Sequence, residues 1–141
     1  MKTICVIINS IEEWVFLKST IFEFSQNKKI DLKIVATGKL LSPDYGLLYE
    51  NIEKEIKIDK KIEMYPKLDT SVSNANSLSL AIMGFANYFN EVKPYKIIIS
   101  GNSYSILGAC ISALISKIEI ENIQSDKLLE STIPNQFLNL F

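Results

Sequence analysis

Five short apolar runs, most of them rich in Val and Ile, alternate along this chain with longer segments whose apolar residues recur at helical spacing. Such runs are typical of strands that are covered on both faces. Strands that alternate with helices form a parallel sheet with right-handed crossovers, because each helix carries the chain back to the start of the next strand. The pattern predicts an α/β fold, a three-layer parallel sheet of about five strands.

The boundaries of these elements follow from turn formers and capping residues. We expect strands at 2–8, 32–37, 56–64, 95–100 and 118–123, and helices at 11–24, 43–54, 77–92 and 104–115. Isoleucines alternate with charged residues in the third strand, which indicates a sheet edge. A polar loop is expected at 66–76, and the helix after it should bury Leu80, Met83, Phe85 and Phe89.

Composition limits the class of protein. A length of 141 residues fits one domain, 1–141, and no stretch approaches the roughly 20 apolar residues of a membrane span. The apolar start is too short for a signal peptide, so we place the protein in the cytoplasm. Fifteen Lys residues nearly balance 16 acidic ones, which favours neither nucleic acid nor a membrane as partner. Cys5 and Cys110 are expected in the core rather than in a disulfide or metal site.

Two residue types are absent, and their absence restricts the chemistry. Every basic residue is Lys, and the chain contains neither Arg nor His. It therefore lacks the planar side chain that binds phosphates bidentately and the side chain best suited to proton transfer near pH 7. Without His, no Ser can be assigned as an activated nucleophile. We predict no catalytic residue, no metal site and no cofactor.

Candidate binding residues follow the strands, because ligands of open parallel sheets lie beyond the carboxyl ends of the strands. The loops concerned are 9–13, 38–43, 101–105 and 122–127. In the first, Asn9, Ser10 and Glu13 stand where a phosphate-binding turn would be, but the loop has no Gly. Helix capping is the favoured interpretation there, and anion binding is the alternative.

The other two polar loops offer neutral groups. Backbone amides should be exposed at a helix start in the loop that contains Gly101, Asn102 and Ser103. They would either bind a ligand or serve only to form the turn. Asn122 and Gln124 lie on one side of the last strand's end, and they can form hydrogen bonds but cannot shuttle protons. Glu130 is the one carboxylate near this loop, and a surface helix position is its favoured interpretation.

Two stretches resemble the hydrolysing UDP-N-acetylglucosamine 2-epimerases of sialic-acid-type sugar synthesis. The stretch 37–46, T-G-K-L-L-S-P-D-Y-G, is similar to that family's T-G-x-H-L-S-P-E-F-G motif. The stretch from Leu80 to Ala109 is similar to its G-F-A, K-P-D and G-D-R-Y-E-I-L-A-A segment. The resemblance implies one half of a two-domain, GT-B-like fold, with a Rossmann-like domain on each side of a cleft. Ser42, which matches the first motif, is implied to belong to the pocket.

The polar positions of these motifs have changed. Where the family has G-T-R-A-E, this chain has Asn9, Ser10 and Ile11, and it retains Glu13. The family's Asp-Arg pair is replaced by Asn102 and Ser103, and the Glu after the Tyr is replaced by Ser105. Where the family has H-I-H-G-G-E, residues 122–127 of this chain are N-I-Q-S-D-K. Of the family's T-E-G-A-I-D-E segment, this chain keeps Glu130 and Ile133. The apolar positions persist, which indicates a folded domain with a vestigial pocket.

We interpret the chain as a catalytically inactive, epimerase-like pseudoenzyme domain. It would act as a binding or partner subunit in sugar-nucleotide metabolism, holding a UDP-sugar or a fragment of one, or docking on a full-length epimerase. The alternative is one half of a split epimerase that needs a separate C-terminal domain, and a third hypothesis is a remnant open reading frame. Phe137, Leu138, Leu140 and Phe141 predict an apolar tail. The tail would either mediate self-association or partner docking, or fold back along the domain's own sheet.

Overall fold

The computed structural model describes residues 1–64 and 68–123 and has five parallel strands in one sheet. The strands are β1 (Lys2–Ile8), β2 (Ile30–Thr37), β3 (Lys60–Ile62), β4 (Lys96–Ile99) and β5 (Glu119–Asn122). Four α-helices accompany them: α1 (Ile11–Ser25), α2 (Tyr49–Glu53), α3 (Ser71–Val92) and α4 (Tyr104–Ile115). This alternation confirms the predicted α/β fold.

The strand order is β3-β2-β1-β4-β5, so the chain moves outward from β1 first in one direction and then in the other. In sheets of this kind, ligands bind beyond the carboxyl ends of the two strands between which the order reverses, here β1 and β4. The register pairs Val6 of β1 with Ile34 of β2 and with Ile98 of β4. The loops after β1, β2 and β4 consequently lie at the same edge of the sheet.

The core has two layers because successive strand residues point to opposite faces. On one face, Cys5 and Ile7 of β1 pack with Phe85 and Phe89 of α3 and with Cys110 of α4. On the other face, Val6 and Ile8 pack with Trp14, Leu17 and Ile21 of α1. Both cysteines are free and fully buried, as predicted, and burial raises the pKa of each thiol to about 12.

Helix α3 differs from its prediction in both extent and buried face. It begins at Ser71 rather than 77, because the Thr70 hydroxyl accepts a hydrogen bond from the backbone N–H of Ser73 and caps the helix. Phe85 and Phe89 are buried as predicted, whereas Leu80 and Met83 are 44% and 61% exposed. Helix α3 packs closely on α4, and Ala81, Phe85, Tyr88 and Phe89 form its buried apolar face.

The segment predicted as one helix at 43–54 is divided into two. Ser42 caps a 3₁₀ helix, Pro43–Tyr45, and Gly46 ends it with a left-handed φ of 81°. Leu47 is also left-handed, at 53°, and α2 begins only at Tyr49. Another 3₁₀ helix, Gly38–Leu41, follows β2 directly.

The predicted third strand is also shorter, since only Lys60–Ile62 pairs with β2, and it is an edge strand as expected. Strand β2 begins two residues earlier than predicted, at Ile30. Over the two described ranges, no helix has the length and apolar character needed to cross a membrane.

Candidate functional site

Asn9, the residue after β1, joins three loops at the carboxyl edge of the sheet. Its backbone N–H donates to Oε1 of Glu13 at 2.8 Å, which holds the start of α1. Its carbonyl accepts from the N–H of Leu40 at 3.2 Å, which holds the 3₁₀ helix after β2. Its side-chain Oδ1 accepts from the Ser105 hydroxyl at 2.7 Å, which holds the start of α4. The three loops that follow β1, β2 and β4 therefore meet at one residue.

The hydroxyls of Ser103 and Ser105 extend this contact into a directed chain. Each hydroxyl has one hydrogen, and the Ser105 hydrogen is used in the bond to Asn9. In the 2.8 Å contact between the two serines, Ser103 must therefore be the donor. Ser103 also caps α4 by accepting from the N–H of Ile106 at 3.4 Å. Both hydroxyls are therefore already hydrogen-bonded, to each other and to Asn9 or the backbone of Ile106.

Gly38 allows the loop after β2 to approach this chain. Its φ is 59°, and a Cβ there would lie 1.7 Å from Oδ1 of Asn9 and 3.1 Å from the Ser105 hydroxyl. Both the left-handed backbone and the lack of space require glycine. The side chain of Asn9 is therefore enclosed by the loops after β2 and β4.

Glu13 is the carboxyl group that these loops bury. The Ser10 hydroxyl caps α1 by accepting from the Glu13 N–H at 3.2 Å, and the Glu13 side chain accepts from the N–H of Asn9. This arrangement is close to a capping box. Glu13 is only 4% exposed. Burial raises the pKa of its carboxyl from 4.5 to about 8, while the hydrogen bond from Asn9 and the charge of Lys39 oppose the increase. Glu13 accordingly keeps its proton at neutral pH.

The structure brings together four of the predicted binding residues, Asn9, Ser10, Glu13 and Ser103. Gly101, with a φ of 83°, and Asn102 lie in the same loop as Ser103, between β4 and α4, and are partly buried. Asn122 ends β5, beside Ile99 in the register, and is exposed.

Ser42, Gln124 and Glu130 are placed differently or not at all. The Ser42 hydroxyl accepts from the N–H of Asp44 at 3.3 Å, so its observed role is to cap a local turn. Gln124, Glu130 and the tail residues from Phe137 to Phe141 lie outside the described residues.

Three residues of the cluster were not among the predicted binding residues: Gly38, Leu40 and Ser105. A glycine directly after a buried strand was the signal that could have identified Gly38. Ser105 could not have been paired with Asn9, because 96 residues separate them in the sequence. Ser100, also at this edge, is fully buried, and its hydroxyl has no hydrogen-bond partner within 1–64 and 68–123.

The chemistry available at this edge is mostly neutral. The cluster provides one carboxamide, three hydroxyls and a carboxyl group whose pKa is raised. In the part of the chain that the structure describes, no three cysteine or acidic side chains come together as a metal site would need.

Comparison with known proteins gives one consistent family. The family model described as UDP-N-acetylglucosamine 2-epimerase matches residues 23–124. The GDP/UDP-N,N'-diacetylbacillosamine 2-epimerase (hydrolyzing) of Campylobacter jejuni is 35% identical over 127 residues, which are 90% of this chain and 33% of that protein. The chain therefore spans about a third of the length of this relative.

Solved structures show the same fold. The UDP-GlcNAc 2-epimerase of Neisseria meningitidis bound to UDP-GlcNAc matches with a TM-score of 0.71 and 18% identity, over 87% of this chain and 32% of that one. The UDP-N-acetylglucosamine 2-epimerase of Rickettsia bellii matches with a TM-score of 0.66 and 23% identity, over 86% and 30%. The match of the family model to most of the chain shows that this protein belongs to the UDP-N-acetylglucosamine 2-epimerase family.

Proposed function

We propose that this chain is a non-catalytic epimerase-family domain that contacts a sugar nucleotide at the carboxyl edge of its sheet without converting it. The single observation that carries the proposal is the hydrogen-bonded chain Ser103–Ser105–Asn9, which places neutral groups beyond the carboxyl ends of β1 and β4. A 2-epimerase must move a proton at carbon, and amides and hydroxyls with ordinary pKa values are poor acids and bases for that step.

The proposed ligand class is a UDP-sugar or a fragment of one. Two solved relatives carry such molecules: the Neisseria meningitidis enzyme is bound to UDP-GlcNAc, and a Methanocaldococcus jannaschii enzyme is in complex with UDP-GlcNAc and UDP. This chain has no Arg, so a phosphate would have to be held by backbone amides, neutral side chains or Lys. We expect weak binding for that reason.

A partner role is part of the same proposal. The relatives are about three times as long as this chain, so other residues supply the rest of their structure. Here a full-length epimerase, a separate C-terminal domain or a second copy of this chain would complete the site. Self-association through the tail from Phe137 to Phe141 is one form of this proposal.

The test is a turnover assay on the isolated protein. We expect neither UDP release nor formation of the 2-epimer from UDP-N-acetylglucosamine above the rate of a no-enzyme blank, because the one carboxyl group of the cluster, Glu13, is buried and hydrogen-bonded to Asn9. The Campylobacter jejuni relative, assayed with its own substrate in parallel, is the positive control. Turnover that is lost in Asn102→Ala or Asn9→Ala would contradict the proposal.

A split epimerase is the second candidate, and Glu13 is the observation that favours it. A carboxyl with a pKa of about 8 is in the range that suits proton transfer near neutral pH. If this candidate holds, adding the separately expressed C-terminal two thirds of a relative should produce activity, and Glu13→Gln should abolish it. No activity in the mixture, with both parts shown to be folded, would reject the split enzyme.

A further inference from the structure

The carboxamide of Asn9 lies in a space with no spare volume. Asn9 is 6% exposed and Ser105 is 1% exposed. A methyl group added at Gly38 would overlap Oδ1 of Asn9, since its carbon would lie only 1.7 Å away. The loop after β2 therefore closes one side of the carboxamide, and the start of α4 closes another.

The side chain of residue 105 points into the same space. The Ser105 hydroxyl is 2.7 Å from Oδ1 of Asn9, which is hydrogen-bond contact with no gap between the two atoms. Any longer side chain that leaves Cβ of residue 105 in the direction of this hydroxyl would meet the carboxamide. Interiors are packed too closely for such an overlap to be absorbed without displacement.

We propose that the side chains of residues 9 and 105 compete for one buried volume, so that Asn at 9 excludes a carboxylate at 105. The pair then determines whether this edge of the sheet is neutral or charged. The resemblance to the epimerase motifs implies the opposite combination in that family, Gly at the position of Asn9 and Glu at that of Ser105. This inference deepens the proposed function, since it identifies the residue pair that keeps the site neutral.

A double-mutant cycle tests the competition without any ligand. The variants are Ser105→Gln, Asn9→Ala and the double variant, whose two side chains together contain as many non-hydrogen atoms as Asn and Ser do. We expect Ser105→Gln to lower the melting temperature by roughly 5–15 °C, because the new side chain overlaps Asn9. In the double variant at least half of that loss should be recovered, since the carboxamide is gone.

Ser112→Gln is the matched control. Ser112 is on the same helix and is also buried, but its hydroxyl donates to the carbonyl of Ile82 and not to Asn9. The drop in melting temperature caused by Ser112→Gln should add to the drop caused by Asn9→Ala when the two changes are combined. If Ser105→Gln and Asn9→Ala are likewise additive, so that the double variant melts below either single variant, the competition is disproved.

If Ser105→Gln does not fold, the same cycle is read by folding itself. The double variant should then fold, because the carboxamide that the Gln side chain overlaps is gone. A double variant that stays unfolded while Asn9→Ala alone folds would overturn the inference. Because the cycle uses no ligand, turnover by the isolated chain would reject the proposed function alone, and the cycle would reject only this inference.

Discussion

Asn9 connects the start of α1, the 3₁₀ helix after β2 and the start of α4 through three different groups of one residue. Glu13 is four residues from Asn9 in the sequence, whereas Leu40 and Ser105 come from distant parts of it. Because Asn9 and Ser105 are almost completely buried, losing either partner leaves a polar group without compensation. The geometry of the whole edge therefore depends on a few hydrogen bonds.

Gly38 should be far less tolerant of a side chain than Gly46. Both have a positive φ, 59° and 81°, so replacement by Ala costs each about 1–2 kcal/mol of backbone strain. At Gly38 the new Cβ also overlaps Asn9, whereas at Gly46 no heavy atom lies within 4 Å. We expect Gly38→Ala to lose about 2–4 kcal/mol of unfolding free energy in urea denaturation. Equal losses for the two variants would contradict this account of the Asn9 contact.

Glu13 should make the protein less stable as the pH rises. The folded-state pKa, about 8, lies above the ordinary value of 4.5, so between these values the folded state binds more protons than the unfolded state. The free energy of unfolding should therefore fall from about pH 4.5 to about pH 8, by at most about 1.4 kcal/mol per pH unit. Glu13→Gln keeps an oxygen that can accept from Asn9 but cannot ionise.

Urea denaturation at pH 5, 6.5 and 8 measures this dependence. The Gln variant should show a smaller decrease than the wild-type protein over that range. Glu12→Gln, a change at a neighbouring exposed carboxyl, is the control and should leave the decrease largely intact. A wild-type stability that rises toward pH 8 would mean that Glu13 is ionised in the folded state.

At the level of single residues, the sequence predicted positions better than contacts. Asn9, Ser10 and Glu13 were expected together because they are neighbours in the chain and form a capping pattern. The bond between Ser105 and Asn9 depends on the order of β1 and β4 in the sheet, which no local pattern encodes. The raised pKa of Glu13 depends on burial by other loops, so it could not be predicted either.

The contact between α3 and α4 depends on small residues. A Cβ at Gly108 would lie 2.7 Å from Cβ of Ala81 and 3.3 Å from its backbone carbon, so the two helices would have to separate. Overpacking of this kind costs about 1–3 kcal/mol, and the better helix propensity of Ala offsets up to about 1 kcal/mol. We expect Gly108→Ala to be destabilising overall in thermal denaturation.

Gly84→Ala, within α3, is the matched control for this helix contact. Its new Cβ would come within 3 Å of a single atom, a side-chain methyl of Ile62 in the edge strand β3, and of no backbone atom. Because one methyl group has to move rather than a helix backbone, we expect Gly84→Ala to be destabilised less than Gly108→Ala. A Gly108→Ala protein that is as stable as Gly84→Ala would indicate that the two helices separate without cost.

Element type was predictable from periodicity, and element ends were not. Helix α4 and strand β1 have the predicted bounds, 104–115 and 2–8, because strong apolar patterns end at clear turn residues. Helix α3 extends six residues further toward its N-terminus than expected, since the Thr70 cap outweighs the weak helix propensity of Ser and Asn. The helix expected at 43–54 is interrupted at Gly46 and Leu47, where the backbone is left-handed.

At the scale of the whole molecule, the order of the strands brings the loops after β1, β2 and β4 to one edge of the sheet, where the candidate site lies. The first motif stretch, 37–46, starts at the end of β2 and runs through the two 3₁₀ helices, and the second, from Leu80 to Ala109, runs from α3 through β4 into α4. The chain covers about a third of the length of each of these relatives. Our central proposal is that this domain contacts a sugar nucleotide at one edge of its sheet and does not convert it.

One NMR titration tests that claim most directly, because protein amide signals report binding while sugar signals in the same sample report turnover. With millimolar UDP-N-acetylglucosamine, we expect small, fast-exchange shifts at Ser10, Gly38, Gly101, Asn102 and Ser103, at the carboxyl edge of the sheet. The sugar signals should remain those of the starting compound for hours. Shifts confined to the opposite edge, around Lys2, Ile30 and Lys96, or the appearance of the 2-epimer, would contradict the account.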